Sequence, residues 1–338
     1  MDKIITVPFG YLLDWLYQLT DNFGIALLLF AVVVQAVMLP MTIKQKRTMM
    51  EQQRIQPMIQ KIQKTYARDQ RRMQEEMQNL YDREGVSPMA GCGTMLLTFP
   101  ILIAMFNAMR MVSNEHLVQQ AIDIVLGNEP VLESWLWIKN LWMPDSLFSP
   151  AYPDLGTMRQ ISAAEWLQWF RGLDQAHLPA LLQGMGLTEA HFGNDQLAAT
   201  IQSIQNALAV GNPAYAEALT VPQGMSINLL ITQVNLVKDY NGLMLLPILS
   251  AVSQIAMTKL TGSQGPQQDQ TQATTGKFMM WFFPIFSLVL CFSYSSAFAL
   301  YWVASNLIAI VQNWAINKYL DAKEKKAAET IPVEGKIK

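Results

Sequence analysis

Eight polar side chains stand inside otherwise apolar stretches of this 338-residue chain: Gln35, Thr98, Asn107, Ser253, Gln254, Ser305, Asn306 and Gln312. All are amides or hydroxyls, able to give and accept hydrogen bonds without carrying charge. Polar groups within membrane-spanning segments are costly and mark functional positions by default. Taken singly, each reads as a hydrogen-bonding link between helices, worth roughly 1 kcal/mol. Eight of them spread over four short helices read equally well as the lining of a hydrated cavity. Such a lining could receive a hydrophilic segment without coupling its passage to an ion. A channel or secondary transporter is the alternative, but an ion-coupled device would place Asp, Glu, His or Arg at that depth. An embedded enzyme would need an acid–base pair or a metal set there, and the apolar blocks hold neither. Elsewhere, His116, His177 and His191 lack metal-ligand spacing, and Gly184-Met-Gly186 is too sparse for a nucleotide loop. Cys92 and Cys291 are far apart in apolar surroundings, unlike a disulfide framework. No catalytic residue, metal or cofactor is expected, and the chain does not read as an enzyme.

The elements that must position these groups follow from where charge is missing. Only 15% of the residues are charged and 51% are apolar, with a net charge of −2. That balance excludes a disordered chain and supplies no basic footprint for nucleic acid. Phe23–Met41, Thr94–Met109 and Gly242–Met257 are charge-free, and Phe278–Ile316 runs 39 residues without Asp, Glu, Lys or Arg. Roughly 20 helical residues cross a ~30 Å hydrocarbon core, so the last block holds two spans. Ser293-Tyr294-Ser295-Ser296 is its most polar point and the expected turn. The fold class is therefore all-α: a polytopic membrane protein with five transmembrane helices, a cytoplasmic helical hairpin and an α-helical extracytoplasmic insertion.

The expected order is an interfacial amphipathic helix in 1–22, a first span at 23–41, the hairpin at 42–90 and a second span at 91–112. An extracytoplasmic region at 113–240, a third span at 241–260, a cytoplasmic loop at 261–277, spans at 278–293 and 297–316 and a basic tail at 317–338 complete it. Trp15 and Tyr17 are the expected headgroup-level anchors of the first helix. Asp2-Lys3 and the mixed segment after it do not read as a cleavable signal peptide. Residues 42–90 carry ten Lys/Arg against six acids, 112–241 carry four against twelve, and the tail from Asn317 carries six against four. Positive residues stay inside, which puts the N-terminus outside and the C-terminus in the cytoplasm.

Within the hairpin, Ile55, Met58, Ile59, Ile62 and Tyr66 fall at helical spacing, and so do Met73, Met77, Leu80 and Tyr81 after a break near Arg68-Asp69. This thin, Met-rich stripe is either the seam of the hairpin or an adaptable docking surface. The external region opens on the aromatic run Trp135–Trp142, expected at the membrane surface. Helical patterns follow at 162–173, 176–186, 195–210 and 214–220, together reading as a small helical cap.

Several segments carry a resemblance. VVVQAVMLPMTIKQKRTMMEQQRIQPMIQKI at 32–62, NLYDREGVSPMAGCGTMLLTFPILIAMFNAM at 79–109, NGLMLLPILSAVSQIAMTKL at 241–260 and ALYWVASNLIAIVQNWAINK at 299–318 occur in one order. Together they resemble the YidC family of membrane protein insertases over about two-thirds of the chain. The resemblance implies a five-helix core with a hydrophilic groove open to cytosol and lipid, and a location in the bacterial plasma (inner) membrane. It implies Gln35, Thr98, Gln254, Asn306 and Gln312 in the substrate groove, and Tyr301 and Trp302 on a face that guides apolar segments into lipid. Ile55, Met58, Ile62, Met73 and Met77 would dock substrates on the hairpin. The implied partners are nascent membrane proteins, the ribosome through tail and hairpin, the lipid bilayer and, as a further candidate, the Sec translocon, with no direct nucleic-acid contact. The chain departs from the family pattern at Gln35, where an Arg is usual, and at Thr98, where a Gln is usual. It departs again at Ser295 and Ala297, which stand for Pro and Gly, and in the insertion at 150–238.

Overall fold

The computed structural model describes residues 2–87, 90–173, 179, 182–183, 185–192, 196–220, 226–229, 232–260 and 270–330, and leaves some side chains within them undescribed, including those of 2–6, 90–99, 101–102, 270–280 and 324–330. The chain divides into two compact units. One comprises Met1–Phe30, Ala104–Ser250 and Phe286–Val303, the other Ala31–Ile103, Ala251–Ile285 and Ala304–Lys338.

α1 (Asp2–Thr20) buries Leu13 and Leu16 and exposes Val7, Tyr11, Trp15 and Leu19, four residues apart along one face. That stripe fits an interfacial helix. Trp15 is exposed, and Tyr17 is half-buried, its hydroxyl donating to Glu133 Oε1 at 2.5 Å. Asp21, with φ +48°, ends the helix, and the Asn22 side chain accepts from Ile25 N at 3.1 Å to start the next. α2 (Phe23–Thr65) then runs 43 residues through Pro40 and Pro57 without interruption. At 1.5 Å per residue it is about 65 Å long, roughly twice a hydrocarbon core. The expected boundary at 41/42 is thus no break, because the span and the first arm of the hairpin are one helix.

α3 (Gln70–Glu84) starts where Asp69 caps Arg72 N at 3.1 Å and ends at Gly85, whose φ of +65° suits glycine. The hairpin turn therefore lies where Arg68-Asp69 suggested. α4 (Ala90–Val125) continues 13 residues past the expected end of the second span, with Leu117, Val118, Ala121 and Ile122 buried along that extension.

The inserted region holds α5 (Leu155–Met158), α6 (Ala163–Leu173), a 3₁₀ turn at Glu189–Phe192, α7 (Leu197–Gly211) and α8 (Pro213–Ala218). Their apolar faces meet in a core that includes Met158, Ile161, Trp166, Ile201, Ile204, Leu208 and Tyr215. The expected helix at 176–186 falls largely outside the described residues. The region is not wholly helical: β1 (Ser226–Leu229) and β2 (Thr232–Asn235) pair antiparallel, with Ser226 opposite Asn235. Ile, Leu, Thr and Val in these two short runs suit a pleated ribbon better than a turn of helix. The ends of the insertion pair with each other, since Asn241 N donates to Ser149 O at 2.8 Å and Ala151 N to Asp239 O at 3.1 Å.

α9 (Leu245–Leu260), α10 (Gln270–Ser293) and α11 (Ser296–Thr330) complete the chain. The break between α10 and α11 falls at Tyr294-Ser295, inside the expected turn. Among the described residues, Phe23–Thr65 and Ser296–Lys323 are long and apolar enough to cross a membrane, and Leu245–Leu260 and Trp281–Ser293 are shorter apolar helices.

Candidate functional site

In the second unit α2 and α11 are joined through amides. Gln312 Nε2 donates to Gln35 O at 3.0 Å, and Gln35 Nε2 points to Ser305 O at 3.5 Å. Beside Ser305 on α11, Asn306 Nδ2 donates to Ser253 Oγ of α9 at 3.0 Å. These bonds are the links between helices that isolated polar residues suggest. Two atoms of the same cluster are left over: Ser305 Oγ and Gln312 Oε1 are buried without a partner among the described residues. A buried acceptor or hydroxyl left unpaired costs about 1–3 kcal/mol, which a water or an incoming polar group would recover. Gln35, Ser305 and Gln312 therefore form one cluster, and Asn306 with Ser253 a second contact on the same helix. Gln254 is half-buried and makes no side-chain hydrogen bond among the described residues. The side chain of Thr98 lies outside the described residues.

Tyr301 and Trp302 belong to the first unit. Tyr301 is 4% exposed, with its ring 5.8 Å from that of Phe30. Trp302 is half-buried against Phe298 at 5.6 Å, and its indole N–H is buried without an acceptor among the described residues. Both are packed side chains here rather than open surface. The exposed apolar residues of α11 include Leu307, Val311, Trp314 and Tyr319.

The hairpin stripe is a seam. Ile55, Ile59, Leu80, Tyr81 and Val86 form its closed core, with Met58, Ile62 and Met77 partly buried at the margin. Ile55 is 0% exposed, so it offers nothing to a docking partner. Met73 is half-exposed and lies off that core.

A second polar constellation, in the first unit, was not visible as a motif. Asn241 is fully buried, accepting from Asn140 N at 2.8 Å and donating toward the carbonyls of Asn140, Met143 and Pro144 at 2.9–3.1 Å. Asn140 in turn donates to Gln120 Oε1 at 2.9 Å and Ala151 O at 2.7 Å. Asp145, 0% exposed, accepts from Met244 N at 3.0 Å, Leu246 N at 2.7 Å and Trp137 Nε1 at 3.2 Å, so it caps the start of α9. Gly242 is required beside it, because a Cβ there would lie 2.0 Å from Asp145 Oδ1. Trp142 is buried rather than lying on a surface: it stacks on His116 at 4.0 Å and meets Phe23 edge-on at 4.3 Å. Burial holds the His116 imidazole neutral, lowering its pKa to about 4. The sequence signal for this buckle is weak, an Asn-x₄-Asp pair and an Asn-Gly a hundred residues apart. Among the described residues no three His, Cys, Asp or Glu side chains gather as a metal site.

Three proteins called membrane protein insertase YidC are among those similar to the chain. The one from Granulibacter bethesdensis is 45% identical over 103 residues, 30% of this chain and 18% of the relative. That from Zymomonas mobilis is 35% identical over 144 residues, 43% and 22% respectively. That from Chlamydia muridarum is 25% identical over 325 residues, covering 95% of this chain and 29% of the relative. The chain thus spans less than a third of the length of the relatives it matches. A match to the 60Kd inner membrane protein family extends over residues 15–325, and with nearly the whole fold inside that range the chain belongs to this family.

Proposed function

We propose that the chain is a membrane protein insertase of the inner membrane, a device that binds and guides without covalent chemistry. The observation that carries this reading is the α2–α11 cluster, where Ser305 Oγ and Gln312 Oε1 remain unpaired beside Gln35. These groups can exchange hydrogen bonds with a passing polar segment. Hydration is then kept for part of the crossing, and the barrier falls accordingly. Gln35, Thr98, Gln254, Asn306 and Gln312 line the groove in this proposal. With an amide at position 35, the groove attracts no carboxylate by charge, and capture rests on hydrogen bonding. Apolar segments leave along the exposed faces of α9 and α11, including Val252, Leu307 and Val311.

Five spans follow in this reading, with the N-terminus outside and the hairpin and tail in the cytoplasm. The hairpin receives nascent proteins on the open margin of its seam, at Met58, Ile62 and Met77, and on Met73 beyond it. Nascent membrane proteins and the bilayer are the proposed partners, with the ribosome at tail and hairpin and the Sec translocon as further ones.

Site-specific crosslinking from position 35 to nascent membrane proteins on stalled ribosomes is the test. Crosslinks that disappear in a Gln312→Leu background support the groove. Crosslinks absent at 35 while present from exposed Val311 would restrict these amides to helix packing. Ion or solute flux through vesicles containing the protein alone would instead favour a channel or transporter.

A further inference from the structure

The first unit contains a cleft that the groove reading does not use. Arg110 and Phe106 of α4, Trp142, Gln160, Ser293 and Phe298 are among the residues around it, and it encloses about 430 Å³ counting its open mouth. Two of its wall groups can only donate hydrogen bonds: the Trp142 indole N–H and the Arg110 guanidinium, whose charge, against the effect of burial, lowers the pKa of the Glu165 carboxylate. Trp142 is 1% exposed, and its indole N–H is buried unpaired among the described residues. The Arg110 guanidinium is exposed and forms no ion pair among the described residues. The nearby carboxylate of Glu165 is already held by Ser162 N at 2.9 Å and Asn114 Nδ2 at 3.3 Å. A cation and an unpaired buried donor on one cleft suit an anionic acceptor, and a guanidinium matches phosphate oxygens best.

The surroundings favour a phosphate that carries an apolar tail. Phe106 and Phe298 form the cleft's apolar side, and their rings meet at 5.3 Å. Ser293 on the rim is the last residue of α10, whose preceding turns expose Val289 and Phe292. An acyl chain descending from the mouth would lie along those side chains. We propose that this cleft binds the phosphate group of a phospholipid headgroup, with Arg110 as its charge partner and the Trp142 indole N–H as a neutral donor. The proposal rests on reading α10 and α11 as spans, but not on insertase activity.

The purified full chain in detergent is titrated with phosphatidylglycerol and, separately, with inorganic phosphate, and bound ligand is counted by native mass spectrometry. The expected result is saturable retention of phosphatidylglycerol that Arg110→Gln weakens roughly tenfold or more and Arg110→Lys weakens less. Arg110 is exposed, so neither variant disturbs the core. Trp142→Phe removes the indole N–H together with one ring of a packed side chain, so it is expected to weaken retention roughly fivefold while also lowering the melting midpoint. Retention equal in Arg110→Gln and the parent chain would overturn the proposal. Arg110-dependent binding of inorganic phosphate without lipid retention would overturn the lipid headgroup in favour of free phosphate. Because the readout is ligand retained, its failure leaves the insertase reading untouched, and loss of crosslinks at position 35 leaves this one standing.

Discussion

Replacing Asp145 by alanine tests whether the buried buckle holds α9 in place. The carboxylate is fully buried and accepts three hydrogen bonds, from Met244 N, Leu246 N and Trp137 Nε1. Two of these donors belong to the start of α9, where loss of a cap costs about 1 kcal/mol. Each stranded donor adds about 1–3 kcal/mol, offset in part by water entering the space and by removal of a buried charge. The expected net destabilisation is about 4 kcal/mol. At roughly 2 °C per kcal/mol for a chain of this size, the apparent melting midpoint in detergent falls by about 8 °C. Tryptophan fluorescence follows the transition, with Trp137 reporting the site directly. Asp145→Asn keeps the shape but turns a donor toward an N–H, so it shifts the midpoint by about half as much. Gly242→Ala reaches the same carboxylate from the other side, since its Cβ would lie 2.0 Å from Asp145 Oδ1, and it reproduces most of the loss. A midpoint within 2 °C of the parent for both Asp145→Ala and Gly242→Ala would refute the reasoning, because about 4 kcal/mol has no room to hide in such a shift.

Three more outcomes are expected. His116 has its folded pKa lowered to about 4, against 6.5 unfolded, so the unfolded chain gains a proton first as pH falls through 6.5. Stability is then lost between pH 6.5 and 4, by about 3 kcal/mol in all, and melting midpoints across that range in parent and His116→Phe check it by the flatter profile of the variant. Gly24→Ala places a Cβ 2.2 Å from a Trp135 ring carbon, forcing the indole to move, and costs about 1–3 kcal/mol in the same melting assay. Ile59→Ala opens a cavity in the 1%-exposed hairpin seam and costs about 2–4 kcal/mol locally, read as faster hydrogen exchange in α3 with little change in the first unit.

Much of the architecture is legible where a single residue type decides it. Charge-free runs place the apolar helices, Asp69 and Gly85 bound the second hairpin arm, and the serines near 293–296 mark the break between α10 and α11. Less is legible where partners are distant. Nothing local shows that α2 continues through Thr42, because the switch from apolar to charged residues changes the helix's surroundings and not its propensity. Trp142 in an aromatic run looks interfacial until His116 and Phe23 close around it. Gln35 and Gln312 are readable as polar groups in apolar helices, but their pairing joins residues 277 apart in sequence. The same distance hides the Asn140–Asn241 contact, whose members are 101 apart.

The paired ends of the insertion bear on how the chain finds its fold. α4 and α9 are separated by residues 126–244, a long loop to close for two helices of one apolar assembly. Once Asn241 N reaches Ser149 O and Ala151 N reaches Asp239 O, the chain between them becomes a side branch. The effective loop shortens roughly fourfold, which lowers its closure entropy by about 1 kcal/mol. The inserted segment can therefore vary in length or content with little effect on the search that brings α9 to its neighbours, provided Ser149 and Asn241 still meet. The stem confines the insertion to a side branch, and doubling its length adds only about 0.6 kcal/mol to closing that stem.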